Sequence, residues 1–232
     1  MSRRVVVTGL GVVSPIGNSI DQFWDSLKNG KSGIDKIESF DVSEYKTQIA
    51  GEVKDFDFSE YLTRKDAKRM DKYTQFAVVA AGNALKDSEI DLDSVDLEKF
   101  GTILGCGIGG IGTLEKQHKR LLKRGPNRVS PFLIPMMISN MASGHVSMNF
   151  GLKGPNTTVV TACASATNAI GDAYHVIKRG DADFMLSGGT EASITPIGMS
   201  GFCTMKAMST RNDEPKKASR PFDKDRDGFV MA

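Results

Sequence analysis

Short runs of β-branched and apolar residues alternate with helical patterns through much of this chain. The runs "FGTILGCGIGG", "TTVVT" and "DFMLSGG" are typical of strands, and a segment with helical periodicity separates each from the next. Strands that are joined through helices favour a mostly parallel sheet with helices on both faces. The sequence therefore predicts an α/β fold, with a further strand at Val5–Val7 near the start.

Capping signals indicate where several helices begin and end. Ser19 is followed three residues later by Gln22, which forms a capping box, and Gly30 provides a stop, so we predict a helix between them. Thr63 is a candidate cap for the short basic stretch "RKDAKRMDK". The segment "TQFAVVAAGNALKDS" predicts a buried helix, and "TLEKQHKRLLKRG" predicts an amphipathic helix that ends at Gly125.

Composition excludes several classes of protein. The chain has 232 residues, which is enough for one large domain or two small ones. Its net charge of +2 is too small to imply nucleic acid binding. Three cysteines without paired spacing argue against a disulfide framework and favour a reducing, cytoplasmic location. No apolar run reaches the roughly 18 residues needed to cross a membrane.

One cysteine stands between a predicted strand and a predicted helix, in "TTVVTACASATNAIGDA". If the helix begins near Ala164 and ends at Arg179, Cys163 lies at its N-terminus, where free backbone N–H groups and the helix dipole stabilise a thiolate. The neighbouring alanines leave room for a substrate, and the strand–turn–helix order matches a nucleophile elbow. Cys163 is thus a candidate nucleophile, the alternative being a small apolar side chain of the core.

The sequence offers no clear base for this cysteine. His175 lies on the same predicted helix, about 18 Å along the axis from Cys163 and about 120° around it, so it cannot reach the sulfur. His118 and His145 precede the cysteine and have no orienting partner that the sequence identifies. We therefore interpret Cys163 as one half of an active site.

The segment "VVTACASATNAIGDA" closely resembles the nucleophile motif of the β-ketoacyl-acyl-carrier-protein synthases, which belong to the thiolase-like superfamily. The resemblance extends along the whole chain through "RRVVVTGLGVVSPIG", "GCGIGG", "SGGTEASITPIG" and "ASRPFDKDRDGFVM". It is strongest to the synthase II group, which elongates chains in bacterial type II fatty acid synthesis. The resemblance implies that residues 1–232 form the N-terminal half of a thiolase-like fold, a mainly parallel mixed sheet covered by helices.

The resemblance also implies a reaction that needs neither a cofactor nor a metal. Cys163 would take an acyl group from acyl carrier protein, and decarboxylation of malonyl-acyl carrier protein would then extend the chain by two carbons. In such enzymes two histidines, a lysine and a second oxyanion-hole N–H come from the second half, which we expect beyond Ala232. The alternatives are a thiolase that acts on coenzyme A esters and a non-catalytic half-domain that binds carrier protein.

Further site residues are implied by the same resemblance. Ile108 would be a gate in the acyl pocket, Phe202 would lie across from the thiol, and the tail channel would be lined by Ile111, Leu133 and Ile134. The acidic carrier protein would dock on Lys65, Lys68, Arg69 and Lys206. The Met-rich "PFLIPMMISNM" would help to form a homodimer. Each apolar residue could instead be part of the core, and each basic residue could belong to a solvated surface.

Two other motifs match known binding loops only in part. Gly105, Gly107 and Gly110 fit the dinucleotide fingerprint, but no acidic residue follows about 20 positions later for the ribose. The loop "DKDRDG" copies the first half of a calcium-binding EF-hand loop without the helix that should precede it. The basic residues lack interleaved aromatic residues and any nucleic-acid-binding motif. We predict neither nucleotide, calcium nor nucleic acid binding.

Overall fold

The computed structural model describes residues 3–232, which divide into two compact units. The first unit contains residues 3–11 and Asp57–Ala192, and the second contains Val12–Phe56 and Ser193–Ala232. In chain order the elements are α1 (Ile20–Lys28), β1 (Asp35–Lys36), β2 (Ile49–Ala50), α2 (Arg64–Ala67), α3 (Lys72–Asp87), β3 (Phe100–Gly105), α4 (Ile111–Arg124), α5 (Leu133–Met137), α6 (Met141–Phe150), β4 (Asn156–Val159), α7 (Ser165–Arg179), β5 (Phe184–Gly189) and α8 (Pro196–Thr204), with 3-10 turns at Leu97–Lys99, Pro126–Arg128 and Pro215–Lys217.

The first unit is built on parallel strands in the order β4–β3–β5. In the central strand, Leu104 is paired with Thr158 of β4 on one side and with Gly188 of β5 on the other. Helices α4 to α6 connect β3 to β4, and α7 connects β4 to β5. The parallel sheet with its connecting helices confirms the predicted α/β fold.

The side chains of β3 alternate between the two faces of the sheet, as the twofold period of a strand requires. Leu104 packs on one face with Tyr73 of α3 and Val146 of α6. Ile103 packs on the other face against Ala169 of α7. Burial of each such aliphatic side chain stabilises the fold by about 1.5–3 kcal/mol. Helices therefore hold the central strand from both sides, as predicted.

The strand β4 is fixed by polar contacts as well as by packing. Asn156 donates its side-chain amide to the Ser147 hydroxyl at 2.6 Å, and that hydroxyl donates to Thr102 Oγ1 of β3 at 3.0 Å. The hydroxyl of Ser143 donates to the carbonyl oxygen of Thr157 at 2.8 Å. These bonds lock α6 onto β4, whose observed range is Asn156–Val159 where the sequence predicted residues 157–161.

Most of the predicted helix ends are confirmed. Ser19 accepts a hydrogen bond from the Gln22 N–H at the start of α1, and Thr63 does the same for the Asp66 N–H at the start of α2. Gly125, with φ of 80°, terminates α4. In the described part of the chain, no helix combines the length and apolar character that a membrane crossing needs.

The predicted strand at Val5–Val7 is wrong, because this segment joins no strand ladder. It runs beside α3 instead: the Leu10 N–H donates to the Asp87 carboxylate at 2.8 Å, and a side chain at Gly9 would collide with the Ala84 carbonyl. A strand needs a partner edge as well as β-branched residues. Val7 is 80% exposed, so it gains no packing that would favour a strand.

The second unit has an antiparallel pair, β1–β2, and a separate apolar core. Met199 of α8 is fully buried in that core beside Met208 and Met231. The ring of Phe202 stands edge-on to Phe229 at 5.6 Å.

Candidate active site

Cys163 lies in the turn that joins β4 to α7, which confirms its predicted position between a strand and a helix. Two backbone bonds close the turn: the Ala164 N–H donates to the Thr161 carbonyl, and the Ser165 N–H donates to the Ala162 carbonyl, each at 3.1 Å. The thiol of Cys163 is free and exposed, which argues against a packing role in the core. Its role as a nucleophile remains a prediction.

The residue before the cysteine has an unusual backbone conformation, with φ of 51° at Ala162. The left-handed region costs a residue with a side chain roughly 1–2 kcal/mol. The buried hydroxyl of Ser165 offsets this strain, because it accepts from the Thr161 N–H at 2.9 Å and donates to the Ala162 carbonyl at 2.7 Å. Sequence reasoning missed Ser165, although a hydroxyl residue among alanines two positions after the cysteine was an available signal.

Two glycines allow the first turn of α7 to approach the ends of the strands. A Cβ at Gly105 would lie 2.2 Å from the carbonyl carbon of Ser165, and one at Gly189 would lie 2.5 Å from the Cβ of Ala166. Neither contact is sterically possible, so only glycine fits at the ends of β3 and β5. The glycine-rich "GCGIGG" therefore begins with a packing requirement that places the cysteine turn at the edge of the sheet.

A carboxylate holds the loop that follows β3. Glu191, just after β5, accepts the backbone N–H of Gly107 at 3.0 Å and that of Ile108 at 2.8 Å on the same oxygen, Oε2. A dinucleotide phosphate at this loop would need the same N–H groups, which already donate to Glu191. Sequence reasoning missed Glu191. Its position after a Gly-Gly pair, at the same sheet edge as a glycine loop, was the signal.

The same carboxylate lies near a second cysteine, and the environments of the two thiols differ. Cys106 is buried, and burial together with the negative charge of Glu191 raises its thiol pKa to about 12. Its Sγ lies 4.0 Å from Glu191 Oε1, so the protonated thiol is a weak donor to that oxygen. Cys106 is therefore a buried, protonated thiol, whereas Cys163 is open to reagents.

An apolar cavity of about 380 Å³ adjoins the loop after β3. Ile108 and Ile111 both line it, and their role in an acyl pocket remains a prediction. The remaining lining residues are Leu114, Met137, Ile138, Ser139 and Asn140. Such a cavity suits a hydrocarbon chain better than a charged ligand.

The other predicted pocket residues are placed elsewhere. Leu133 and Ile134 begin the neighbouring helix α5 and are not among the residues that line this cavity, with Ile134 57% exposed. Phe202 belongs to the second unit, where it packs on Phe229. The roles of these residues in a tail channel remain predictions.

The predicted docking residues are exposed. Lys65 lies on α2, and Lys68 and Arg69 follow it directly. The Arg69 guanidinium stands 4.7 Å from the centroid of the Phe132 ring, a cation–π arrangement. Within residues 3–232 no ion pair engages these three cations. Lys206 is exposed in the second unit, with φ of 56°.

Two histidines have clear structural surroundings. His145 of α6 is half-buried, and desolvation lowers its pKa while the charge of Asp66 acts in the opposite direction. His175 lies near the end of α7, edge-on to Tyr174 at 5.1 Å between ring centroids. Asp66 and Tyr174, the partners of these two histidines, both lie outside the cysteine turn.

Two of the three aspartates of "DKDRDG" form ion pairs. Asp223 pairs with Arg220 at 2.9 Å, and Asp227 pairs with Arg211 at 3.4 Å and accepts from the Ser209 hydroxyl at 3.0 Å. Across the part of the chain that the structure describes, no three metal-ligating side chains come together.

Comparison with known sequences identifies the family. Residues 2–232 match the family described as "Beta-ketoacyl synthase, N-terminal domain". The chain is 52% identical over 229 residues to 3-oxoacyl-[acyl-carrier-protein] synthase 2 of Synechocystis sp., covering 99% of this chain and 55% of that protein. It is 48% identical over 230 residues to the synthase 2 of Staphylococcus aureus, with the same shares covered. The chain thus spans about half the length of these relatives.

Solved structures give the same result. A β-ketoacyl synthase from Burkholderia phymatum superposes with a TM-score of 0.88 at 32% identity, covering 99% of this chain and 56% of that one. The ishigamide ketosynthase/chain length factor superposes with a TM-score of 0.89 at 28% identity, and the shares covered are the same. A type II PKS ketosynthase in complex with its acyl-carrier protein superposes with a TM-score of 0.78 at 25% identity. This match covers 90% of this chain and 58% of that one. The chain belongs to the β-ketoacyl synthase family, with the thiolase-like fold of its N-terminal domain.

Proposed function

We propose that this chain supplies the acyl-accepting part of a 3-oxoacyl-acyl-carrier-protein synthase in fatty acid synthesis. The observation that carries the proposal is the exposed free thiol of Cys163 in a strained turn at the start of α7. A sulfur at this place has access to a substrate and to the positive end of a helix. The identity of about 50% to synthase 2 enzymes favours this chemistry over that of a thiolase.

In the first step the thiol of Cys163 gives its proton to water, and the sulfur attacks the carbonyl carbon of an acyl thioester on carrier protein. A carbon–sulfur bond forms, and the negative charge moves to the carbonyl oxygen. The backbone N–H of Cys163, at the helix start, is our candidate donor to this oxyanion. When the oxyanion collapses, the bond to the carrier thiol breaks, and the carrier leaves as a thiolate that takes a proton from water.

In the second step malonyl-acyl carrier protein loses carbon dioxide. The electron pair of the broken carbon–carbon bond forms a new bond to the acyl carbon on Cys163, and the Cys163 sulfur leaves. The product is a 3-oxoacyl thioester that is two carbons longer. The family resemblance assigns the histidines and the lysine of this step to the second half of such enzymes, so we assign the first step to the residues of this chain.

The acyl chain would occupy the apolar cavity beside Ile108. A Cβ added at Gly107, the residue before Ile108, would lie 3.6 Å from the Ala162 carbonyl oxygen, so the loop that carries Ile108 passes close to the cysteine turn. Ile108 and Ile111 contribute branched apolar surface and no charge. We assign to Ile108 the gate that sets how much hydrocarbon enters.

The proposed partner is acyl carrier protein, which would dock on the exposed cations Lys65, Lys68 and Arg69 of the first unit. Lys206, which is exposed in the second unit, remains a separate predicted docking residue. Long-range attraction steers an acidic partner toward such a group of cations. One structural relative is a ketosynthase in complex with its acyl-carrier protein, which supports the same kind of partner here.

A homodimer in the cytoplasm is the proposed state. The strand β4 is paired only with β3 among the described residues, so it presents an edge. Val160 and Ile170, which are 57% and 55% exposed, add apolar surface that a second copy would cover.

The free thiols of Cys106, Cys163 and Cys203 suit a reducing compartment.

The test is a condensation assay with acyl- and malonyl-acyl carrier protein, followed by mass spectrometry. We expect the residues of this chain to form the acyl adduct, whereas the product two carbons longer and the release of carbon dioxide also need the histidines and the lysine of the second half. An acyl adduct on the protein without condensation would support the first step alone. Condensation of coenzyme A esters without loss of carbon dioxide would identify a thiolase, and no adduct with retained carrier binding would identify a non-catalytic scaffold.

A further inference from the structure

The geometry points to Glu191 as a positioning residue that sets the depth of the acyl pocket by clamping the main chain of Ile108. The inference rests on the proposed function, because it assigns the cavity to an acyl chain. Glu191 is not a lining residue of that cavity and carries none of the predicted roles. It acts on the substrate only through the loop that it holds.

Three consecutive residues direct donors to this one carboxylate. The N–H groups of Gly107 and Ile108 share Oε2 at 3.0 and 2.8 Å, and the thiol of Cys106 faces Oε1 at 4.0 Å. Hydrogen bonds to an ionised acceptor are stronger than those between neutral groups. Both carboxylate oxygens are therefore engaged, which leaves Glu191 suited to hold the loop rather than to accept a proton from a substrate.

The far side of the loop is fixed independently. Gly110 donates its N–H to the Met137 carbonyl at 2.9 Å, and a Cβ at Gly110 would lie 2.1 Å from the Met136 carbonyl oxygen. Gly109 has φ of 78°, a conformation that favours glycine. Ile108 thus lies between two anchors, and the Glu191 clamp is the anchor on the side of the cysteine turn.

Freedom of the loop would change which acyl chains fit. When the main chain of Ile108 is held in place, its side chain forms a fixed part of the cavity wall. Without the clamp, two backbone N–H groups lose their acceptor and the loop gains other conformations, some of which move Ile108 aside. Loss of a charge-assisted hydrogen bond that holds one conformation corresponds to about a tenfold change in its population.

The experiment measures acylation rates of Cys163 across a series of acyl-carrier proteins of increasing chain length. Glu191→Ala and the volume-filling Glu191→Met should raise the ratio of long-chain to short-chain rates about tenfold. Glu191→Gln, which keeps an acceptor for both N–H groups, should restore most of the original profile. Asp183→Ala, at the opposite end of β5, serves as a matched carboxylate control and should leave the profile unchanged.

A double-mutant cycle tests whether Glu191 acts through Ile108. In an Ile108→Ala background, Glu191→Met should cause no further change of the chain-length profile. An unchanged chain-length profile in the Glu191→Met single variant would overturn the inference. An equal effect of Glu191→Met in both backgrounds would also overturn it. The same holds if neither Glu191→Ala nor Glu191→Met folds. If the unaltered protein forms no acyl adduct, the proposed function fails instead.

Discussion

The hydroxyl of Ser165 donates a hydrogen bond of 2.7 Å to the carbonyl of Ala162, across the residue that carries the exposed thiol. The two partners flank Cys163 in sequence, and one of them has a left-handed backbone. The hydroxyl therefore stabilises the turn that presents the sulfur. In the proposed reaction, the position of the sulfur depends on this internal bond as well as on the surrounding sheet.

Ser165→Ala should slow acylation of Cys163 about tenfold or more, because the turn loses both hydrogen bonds of the hydroxyl, one from the Thr161 N–H and one to the Ala162 carbonyl. Ser147→Ala is the matched control, since that hydroxyl also makes two hydrogen bonds but lies on α6. Rates and unfolding curves should be measured together. Equal slowing by both variants would mean that the effect reflects general destabilisation.

Gly105→Ala should lower the free energy of unfolding by at least about 1–3 kcal/mol, because the new methyl group collides with the backbone of Ser165. Gly171→Ala, within α7, should instead raise it by about 0.5–1 kcal/mol, since nothing lies within 4 Å of its Cβ position. Denaturant unfolding of the two variants checks both signs. Equal stability of the Gly105→Ala variant and the unaltered protein would contradict the packing argument.

The sequence predicted features that depend on local chemistry. Ser19 and Gly125 act as helix caps because a cap needs only its neighbours, and Cys163 lies between β4 and α7 because both elements have clear local patterns. Val5–Val7 could not be placed, since a strand exists only where another strand accepts it. The role of Glu191 could not be predicted either, because it depends on which side chain the fold brings next to the loop after β3.

Charge reversal at Lys65 and Arg69 should weaken binding of acyl carrier protein about tenfold at low salt and flatten its salt dependence. The matched control is Lys99→Glu, because Lys99 is exposed just before β3, at the opposite end of the sheet from Cys163. Binding should be titrated at several salt concentrations. An equal loss for the control would indicate a general effect of net charge.

The free energy of unfolding should decrease as pH rises above 9.0, the ordinary pKa of a cysteine thiol such as that of Cys106. The folded protein holds that thiol proton until about pH 12, whereas the unfolded chain releases it near 9, so the folded state binds more protons in this window. Below pH 9 this contribution is fully present. Urea unfolding from pH 8 to 10 should show a shallower decline in a Cys106→Ala variant, and identical slopes would contradict the assignment.

Intact-mass analysis after incubation with acyl-acyl carrier protein tests the central claim most directly. We expect one acyl adduct on the protein, peptide mapping that places it on Cys163, and no adduct on the Cys163→Ala variant, although that variant retains Cys106 and Cys203. An adduct that persists in the Cys163→Ala variant, or the absence of any adduct on the unaltered protein, would contradict the account.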